Sequence, residues 1–155
     1  MLAGVPLNIE TYKESPGAAA CNGSGLVEVA VTSTGCVLGG SALGSHRTQP
    51  EETGRRAAEQ LLESIESGGC VDKFIQDQVI ILMALARGES WLQTGCLTLH
   101  TQTAIHIAET LTGAKFSVTN NQGNSQAWTI RCWPAGAVDS PTLSCDLKLL
   151  SFNRN

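Results

Sequence analysis

The stretch LTLHTQTAIHIAE, residues 97–109, predicts a short strand that runs into a helix, with a histidine at the junction. Leu97 and Leu99 alternate with a polar threonine, as in a half-buried strand. After the histidine, apolar residues recur at helical spacing over 104–111, and Gly113 is expected to end the helix. His100 is therefore expected at or just before the first helical turn, where free backbone N–H groups point outward.

His100 is a candidate nucleophile because of this position. The N-terminus of a helix carries a partial positive charge and suits a phosphate group. A neutral imidazole nitrogen beside such a phosphate could attack phosphorus. The alternative is that His100 is only a helix cap or a polar surface residue, and the stretch taken alone leaves both interpretations open.

A second stretch, DKFIQDQVIILMALA at residues 72–86, predicts an apolar helix that runs from about Val71 to Arg87. Asp77 falls within its apolar surface, where a carboxylate is unfavourable unless it is paired, hydrogen-bonded or bound to a metal. Either a structural hydrogen bond to a neighbouring loop or a functional role would account for it. Gln78, next to it, offers both a donor and an acceptor.

Together the two stretches resemble the active-site region of the RNA 3'-terminal phosphate cyclases. The pairing of FIQDQ (74–78) with LHTQTAIH (99–106) is specific, since neither is a generic fold pattern. The resemblance extends over most of the chain, from TSTGC at 32–36 to about Cys132. Members of the family are longer, so the chain resembles only the C-terminal part of a eukaryotic-type cyclase.

The resemblance implies an ATP-dependent ligase acting on RNA that ends in a 3'-phosphate. His100 matches the nucleophile, which takes AMP from ATP and passes it to the RNA terminus. The vicinal 2'-hydroxyl then closes a 2',3'-cyclic phosphate. Asp77 matches an acid of the nucleotide and Mg²⁺ site, and Gln78 an ATP contact. Phe74 occupies an ATP-contact position where relatives often carry tyrosine or histidine; its ring can stack on adenine but cannot donate a hydrogen bond.

The same resemblance implies an α/β (α+β) architecture in two parts with a tail. Residues 1–69 match the C-terminal part of a small inserted domain. Their patterning predicts a strand fragment at Val5–Ile9, a strand at 26–31, its hairpin partner from Cys36 across a turn at 33–35, and a helix from Pro50 to about Ser67. Residues 70–133 match the last α/β repeat of the catalytic domain, in the order helix–strand–helix–strand–strand. Residues 134–155 form a divergent tail that we expect to be disordered.

Glycines at 39, 40 and 44 invite comparison with a phosphate-binding loop. The required Lys-Ser/Thr does not follow, so turns and strand edges explain these glycines better. His106 lies about 240° from His100 around the helix, at ~100° per residue, so it is not expected at the same site and is predicted to be partly buried.

Composition describes a globular chain without a basic surface for nucleic acid. The 155 residues are 42% hydrophobic and 15% charged, with a net charge of −4. Phosphate contacts to RNA should therefore come mainly from sequence outside this chain. The six cysteines form no C-x-x-C pair, which predicts free thiols in a reducing compartment. We expect a nuclear protein, with a cytoplasmic location left open, and no membrane association because no signal peptide or long apolar run is present.

Two rival functions remain. A cyclase-like protein of ribosome assembly and pre-rRNA processing shares the fold without the chemistry, but such relatives typically lack the nucleophilic histidine. The second rival is a non-catalytic truncated isoform that binds a partner through its unpaired sheet edge. The chain taken alone could therefore be inactive even if the family assignment holds.

Overall fold

A computed structural model describes residues 5–18, 20–121 and 127–136 of the chain. These residues form a mixed α/β structure, which confirms the predicted fold class. Among them, no helix is both long and apolar enough to cross a membrane. The elements are β1 (Gly25–Val31), β2 (Val37–Leu43), α1 (Pro50–Glu66), α2 (Gln78–Ala84), β3 (Ser90–Thr94), α3 (Leu99–Thr112), β4 (Lys115–Asn120) and β5 (Trp128–Trp133).

The N-terminal elements are a hairpin and one helix, as predicted. β1 and β2 pair antiparallel, with Gly25 opposite Leu43. Gly35 closes the turn between them with a φ of 85°, a conformation that glycine adopts without steric cost. Helix α1 packs on β2 at Gly40, where a Cβ atom would lie 2.3 Å from the carbonyl oxygen of Ala57. The absence of a side chain at position 40 therefore lets the helix approach the strand.

The C-terminal elements follow the predicted order of helix, strand, helix, strand, strand. Strands β3, β5 and β4 form an antiparallel sheet in that spatial order. On the central strand, Ile130 stands opposite Leu92 of β3 and Val118 of β4. Helices α2 and α3 pack against each other and contact β5 and β4, respectively. The sheet and the helix pair bury one apolar core between them.

That core draws on α2, β3, α3 and β5, has Phe116 and Val118 of β4 packed against it, and reaches back to Cys36 just before β2. Its members are all less than a tenth exposed, and burial of their apolar surface is the main force that holds the helices on the sheet. They are Cys36, Cys70, Val71, Ile80, Met83, Ala84, Leu92, Ala108, Ala114, Ile130 and Cys132.

Three predicted elements are wrong in their extent. The N-terminal stretch around Val5–Ile9 forms no strand, and its apolar side chains are exposed. The helix expected from Val71 begins only at Gln78, because Asp72 caps a turn over residues 73–77. The strand expected to reach Leu99 ends at Thr94, because Thr98 caps α3.

Two further predictions concern the end of α3 and the C-terminal tail of the chain. Helix α3 ends as expected at Gly113, which has a left-handed φ of 74°. The predicted tail of residues 134–155 lies almost wholly outside the described residues, which end at position 136.

Candidate nucleotide site

His100 is the second residue of α3 and is exposed. Thr98 is the N-cap, and its side-chain oxygen accepts a hydrogen bond from the backbone N–H of Thr101 at 3.1 Å. The N–H groups of Leu99 and His100 have no acceptor within the helix. His100 therefore stands, as predicted, in the first turn, at the positive end of the α3 dipole.

A tight turn over residues 73–77 presents the second group of predicted site residues. The Oδ1 atom of Asp72 accepts the backbone N–H groups of Phe74 and Ile75 at 2.9 and 3.0 Å. The Phe74 ring is 52% exposed, and the Gln78 side chain, also exposed, donates to the Phe74 carbonyl at 3.0 Å. The turn thus places a half-exposed aromatic ring next to an exposed carboxamide, which can both donate and accept hydrogen bonds.

Asp77 does not have the environment that the sequence predicted. It is half-buried at the N-cap position of α2, and its side chain makes no capping hydrogen bond. The prediction of a buried carboxylate inside a long helix is wrong because residues 73–77 form a turn, which brings Asp77 toward the surface. A carboxylate with one side open to solvent can still bind a cation, and Mg²⁺ often takes only one or two protein carboxylates beside phosphate oxygens.

The buried polar residue of this stretch is Gln76, which the sequence reasoning missed. It is 1% exposed, and its carboxamide bonds four groups on β3, the following loop and the first turn of α3. A sequence signal was available, since Gln76 lies four and seven residues before the buried Ile80 and Met83. That spacing puts Gln76 on the buried stripe and Asp77 off it.

The two predicted site segments are therefore joined in space by one side chain. Gln76 immediately precedes Asp77 and Gln78, and it bonds to Thr98 and Thr101, which flank His100. The structure places Phe74 and Asp77 on one turn with Gln78 directly after it at the start of α2, and Gln76 ties that turn to the start of α3.

The side chain of His106 and the buried thiols of Cys70 and Cys132 play no part in this arrangement. His106 is exposed on α3, so the prediction that it is partly buried is wrong. Burial raises the pKa of the Cys70 and Cys132 thiols to about 11, which makes both unreactive near neutral pH. No cluster of three or more His, Cys, Asp or Glu side chains that could hold a metal occurs among the described residues.

Comparison with known proteins gives one family. A sequence model for the insert domain of RNA 3'-terminal phosphate cyclase matches residues 1–66. An RNA 3'-terminal phosphate cyclase of Drosophila melanogaster is 45% identical over 132 residues, which cover 85% of this chain and 36% of the relative.

Relatives from two other organisms give similar matches. A probable RNA 3'-terminal phosphate cyclase of Dictyostelium discoideum is 44% identical over 98 residues, covering 63% of this chain and 23% of the relative. An RNA 3'-terminal phosphate cyclase of Pyrobaculum neutrophilum is 43% identical over 96 residues, covering 62% of this chain and 28% of the relative. The chain thus spans roughly a quarter to a third of the length of the curated relatives it matches.

Proposed function

The chain belongs to the RNA 3'-terminal phosphate cyclase family, and we therefore propose that it carries the nucleotide-reacting histidine of an ATP-dependent cyclase. The proposed enzyme is a ligase that converts the 3'-phosphate of an RNA end into a 2',3'-cyclic phosphate. Its role would be RNA processing in the nucleus. ATP and an RNA with a 3'-terminal phosphate are the proposed substrates, and Mg²⁺ is the proposed metal.

One observation supports this proposal above the others: Gln76 ties the segment 74–78, which holds Phe74, Asp77 and Gln78, to the first turn of α3. If His100 were only a surface residue, nothing would require the two family-like stretches to meet at its helix end. Instead, the exposed His100 at the positive end of α3 and the half-buried Asp77 lie on two segments that the Gln76 side chain bonds together.

In the proposed first step, an imidazole nitrogen of His100 attacks the α-phosphorus of ATP. A P–N bond forms as the P–O bond to pyrophosphate breaks, and pyrophosphate leaves. His100 then passes the adenylyl group to the 3'-phosphate of the RNA. The vicinal 2'-hydroxyl attacks that phosphate, AMP leaves, and the ring closes. The N–H groups of the first turn of α3 would stabilise negative charge on the phosphate during attack.

The residues present fit the substrates and the metal. Phe74 can stack on adenine through the ring face away from Lys73, whose Nζ lies 5.7 Å from the ring centroid, and the carboxamide of Gln78 can accept a hydrogen bond. Asp77 would hold Mg²⁺, which when bound neutralises triphosphate charge and stabilises charge at phosphorus. Lys73 is ion-paired with Glu63 at 2.9 Å, so it is not a ready partner for phosphate.

The C-terminal part also exposes apolar surface. This surface supports a site that is completed by the part of the cyclase sequence that this chain does not match. On α2, Ile81, Leu82 and Leu85 are 45%, 64% and 67% exposed. Such a row of large apolar side chains is typical of a surface that another element covers. We infer that the part of the relatives which this chain does not match supplies that cover and the phosphate contacts to RNA.

The test is covalent labelling of the purified chain by ATP and Mg²⁺, detected by intact mass. The expected result is one AMP adduct that His100→Ala abolishes and His106→Ala retains, since His106 is an exposed histidine of the same helix. If the chain alone does not react, the unmatched part of the Drosophila relative is added in trans. Labelling that survives in His100→Ala, or no labelling in either setting, would contradict the proposal.

A further inference from the structure

We propose that Gln76 is the positioning residue of the His100 site, because its carboxamide fixes the first turn of α3 relative to the turn that carries Asp77 and Gln78. The inference rests on the proposed function, since positioning has a catalytic consequence only if His100 reacts. It assigns to Gln76 no contact with the substrate.

The carboxamide of Gln76 can adopt only one orientation in this environment. Its Oε1 atom accepts from the backbone N–H of Thr98 at 3.0 Å, a group that can only donate. Its Nε2 atom donates to the carbonyl oxygen of Cys96 at 3.3 Å, a group that can only accept. A rotated amide would oppose donor to donor and acceptor to acceptor. These two contacts therefore set the direction of the side chain.

The remaining capacity of the amide is also used. Oε1 accepts a second bond from the hydroxyl of Thr101 at 2.5 Å, and Nε2 donates to the hydroxyl of Thr94. Thr94 and Thr101 are both fully buried. A buried amide with both lone pairs and both N–H groups satisfied is a rigid part of the core, because any rotation leaves a polar group unpaired.

The bonds continue into the cap of α3. The Thr101 hydroxyl donates its single proton to Gln76, so it must accept from the Thr98 hydroxyl, 2.9 Å away. The Thr98 oxygen in turn accepts from the Thr101 backbone N–H at 3.1 Å. Gln76, Thr98 and Thr101 thus form a closed ring of hydrogen bonds. His100 lies between Thr98 and Thr101, so the ring fixes the backbone from which its imidazole extends.

This arrangement has a consequence beyond stability. Attack on phosphorus requires the nucleophile within a few tenths of an ångström of its productive place, and a displacement of about 1 Å can lower a rate about 100-fold. Loosening the ring should therefore slow adenylylation while leaving ATP bound by Phe74 and Gln78. If the role of Gln76 were purely structural, its replacement would instead lower the folded fraction and ATP binding together.

The experiment measures two quantities for each variant and for the wild-type chain. They are the rate constant of AMP-adduct formation at saturating ATP and the ATP concentration that gives half-saturation. It uses the chain, with the unmatched part of the Drosophila relative where labelling requires it. Gln76→Met and Thr101→Val remove the polar groups with little change in volume. We expect both to slow labelling about 10- to 100-fold. The half-saturating ATP concentration should change less than about twofold.

Two controls separate positioning from general damage. Thr101→Ser keeps the hydroxyl and should label at close to the wild-type rate. Gln93→Met removes a half-buried amide whose 2.8 Å bond to the Gly68 carbonyl lies away from α3, and it should leave the rate unchanged. Equal slowing in Gln93→Met, or a wild-type rate in Gln76→Met, overturns the inference.

Amide hydrogen exchange keeps the inference testable if the chain takes no AMP. In Gln76→Met, exchange at the Thr98 and Thr101 amides should rise at least about 10-fold, while exchange at Ile130 in the central strand should not change. Unchanged exchange at both threonines overturns the positioning role even if His100 reacts. If exchange increases in Gln76→Met but the wild-type chain never labels, the proposed function is overturned and the ring of hydrogen bonds stands.

Discussion

Replacing Gly40 by alanine should destabilise the hairpin and α1 strongly, because the strand has no room for a side chain there. A Cβ atom at position 40 would lie 2.3 Å from the carbonyl oxygen of Ala57, 2.7 Å from the Leu61 nitrogen and 2.9 Å from the Leu61 Cβ. The first two are backbone atoms of α1, so no side-chain rotation relieves them.

The size of the effect follows from these distances. Ordinary contacts begin at 3.4 Å, so α1 must withdraw from β2 by about 1 Å. That shift opens the packing of Ala57 and Leu61, which are 0% and 9% exposed. Overpacking of this kind typically costs about 1–3 kcal/mol of stability. Because the close contacts are with backbone atoms, the loss of stability in Gly40→Ala should be about 3 kcal/mol. For a chain of this length the melting temperature should fall by roughly 6–12 °C.

The neighbouring Gly39 supplies a matched control on the opposite face of the strand. A Cβ there would lie 3.5 Å from the Asp72 carboxylate and 3.8 Å from the Glu28 carbonyl, which are ordinary contacts. Gly39→Ala should therefore change stability by less than about 1 kcal/mol. Gly54→Ala, in α1 with nothing within 4 Å, should stabilise the helix by about 0.5–1 kcal/mol.

Urea denaturation followed by circular dichroism measures all three variants. If Gly40→Ala is as stable as Gly39→Ala, then α1 does not pack on β2 as described and the reasoning fails. A loss of ATP labelling in Gly40→Ala at full stability would instead favour the phosphate-loop interpretation of these glycines.

Further predictions concern the turn and the thiols. Asp72→Ala removes the acceptor for the amides of Phe74 and Ile75 and should cost about 1 kcal/mol in urea denaturation, whereas Asp72→Asn should recover most of it. Burial raises the pKa of the Cys70 thiol from 9.0 to about 11, so the folded state keeps a proton that the unfolded chain releases. The free energy of unfolding should accordingly fall as pH rises from about 9 to about 11, and Cys70→Val should reduce that fall. At about pH 7.5, iodoacetamide should modify the exposed Cys96 and spare Cys70 until urea unfolds the chain; equal modification of both would contradict the described burial.

The sequence predicted the elements well where local signals agreed. The alternating strand at 26–31, the turn glycine at 35 and the helix start at Pro50 are each signalled by residues only a few positions apart. The structure confirms all three. The order of elements in the C-terminal part is also recoverable, because apolar spacing changes clearly between period two and period 3.6.

The candidate site was harder to predict because its decisive contacts are long-range. Gln76 bonds groups 18 to 25 residues away, and helical periodicity alone suggested an unbroken helix with Asp77 inside. Two local caps, from Asp72 and Thr98, shift the boundaries by several residues. Those caps decide which polar side chain is buried, and only the tertiary structure shows which groups that side chain bonds.

The central claim is that His100 forms the bond to AMP, and peptide mapping of the labelled chain tests it most directly. After incubation with ATP and Mg²⁺, tryptic cleavage at Arg87 and Lys115 releases residues 88–115, which contain both His100 and His106. Digestion at mildly alkaline pH preserves a P–N bond. The account predicts AMP on His100 in the fragment spectrum. AMP on His106, or on a residue outside this peptide, would contradict it.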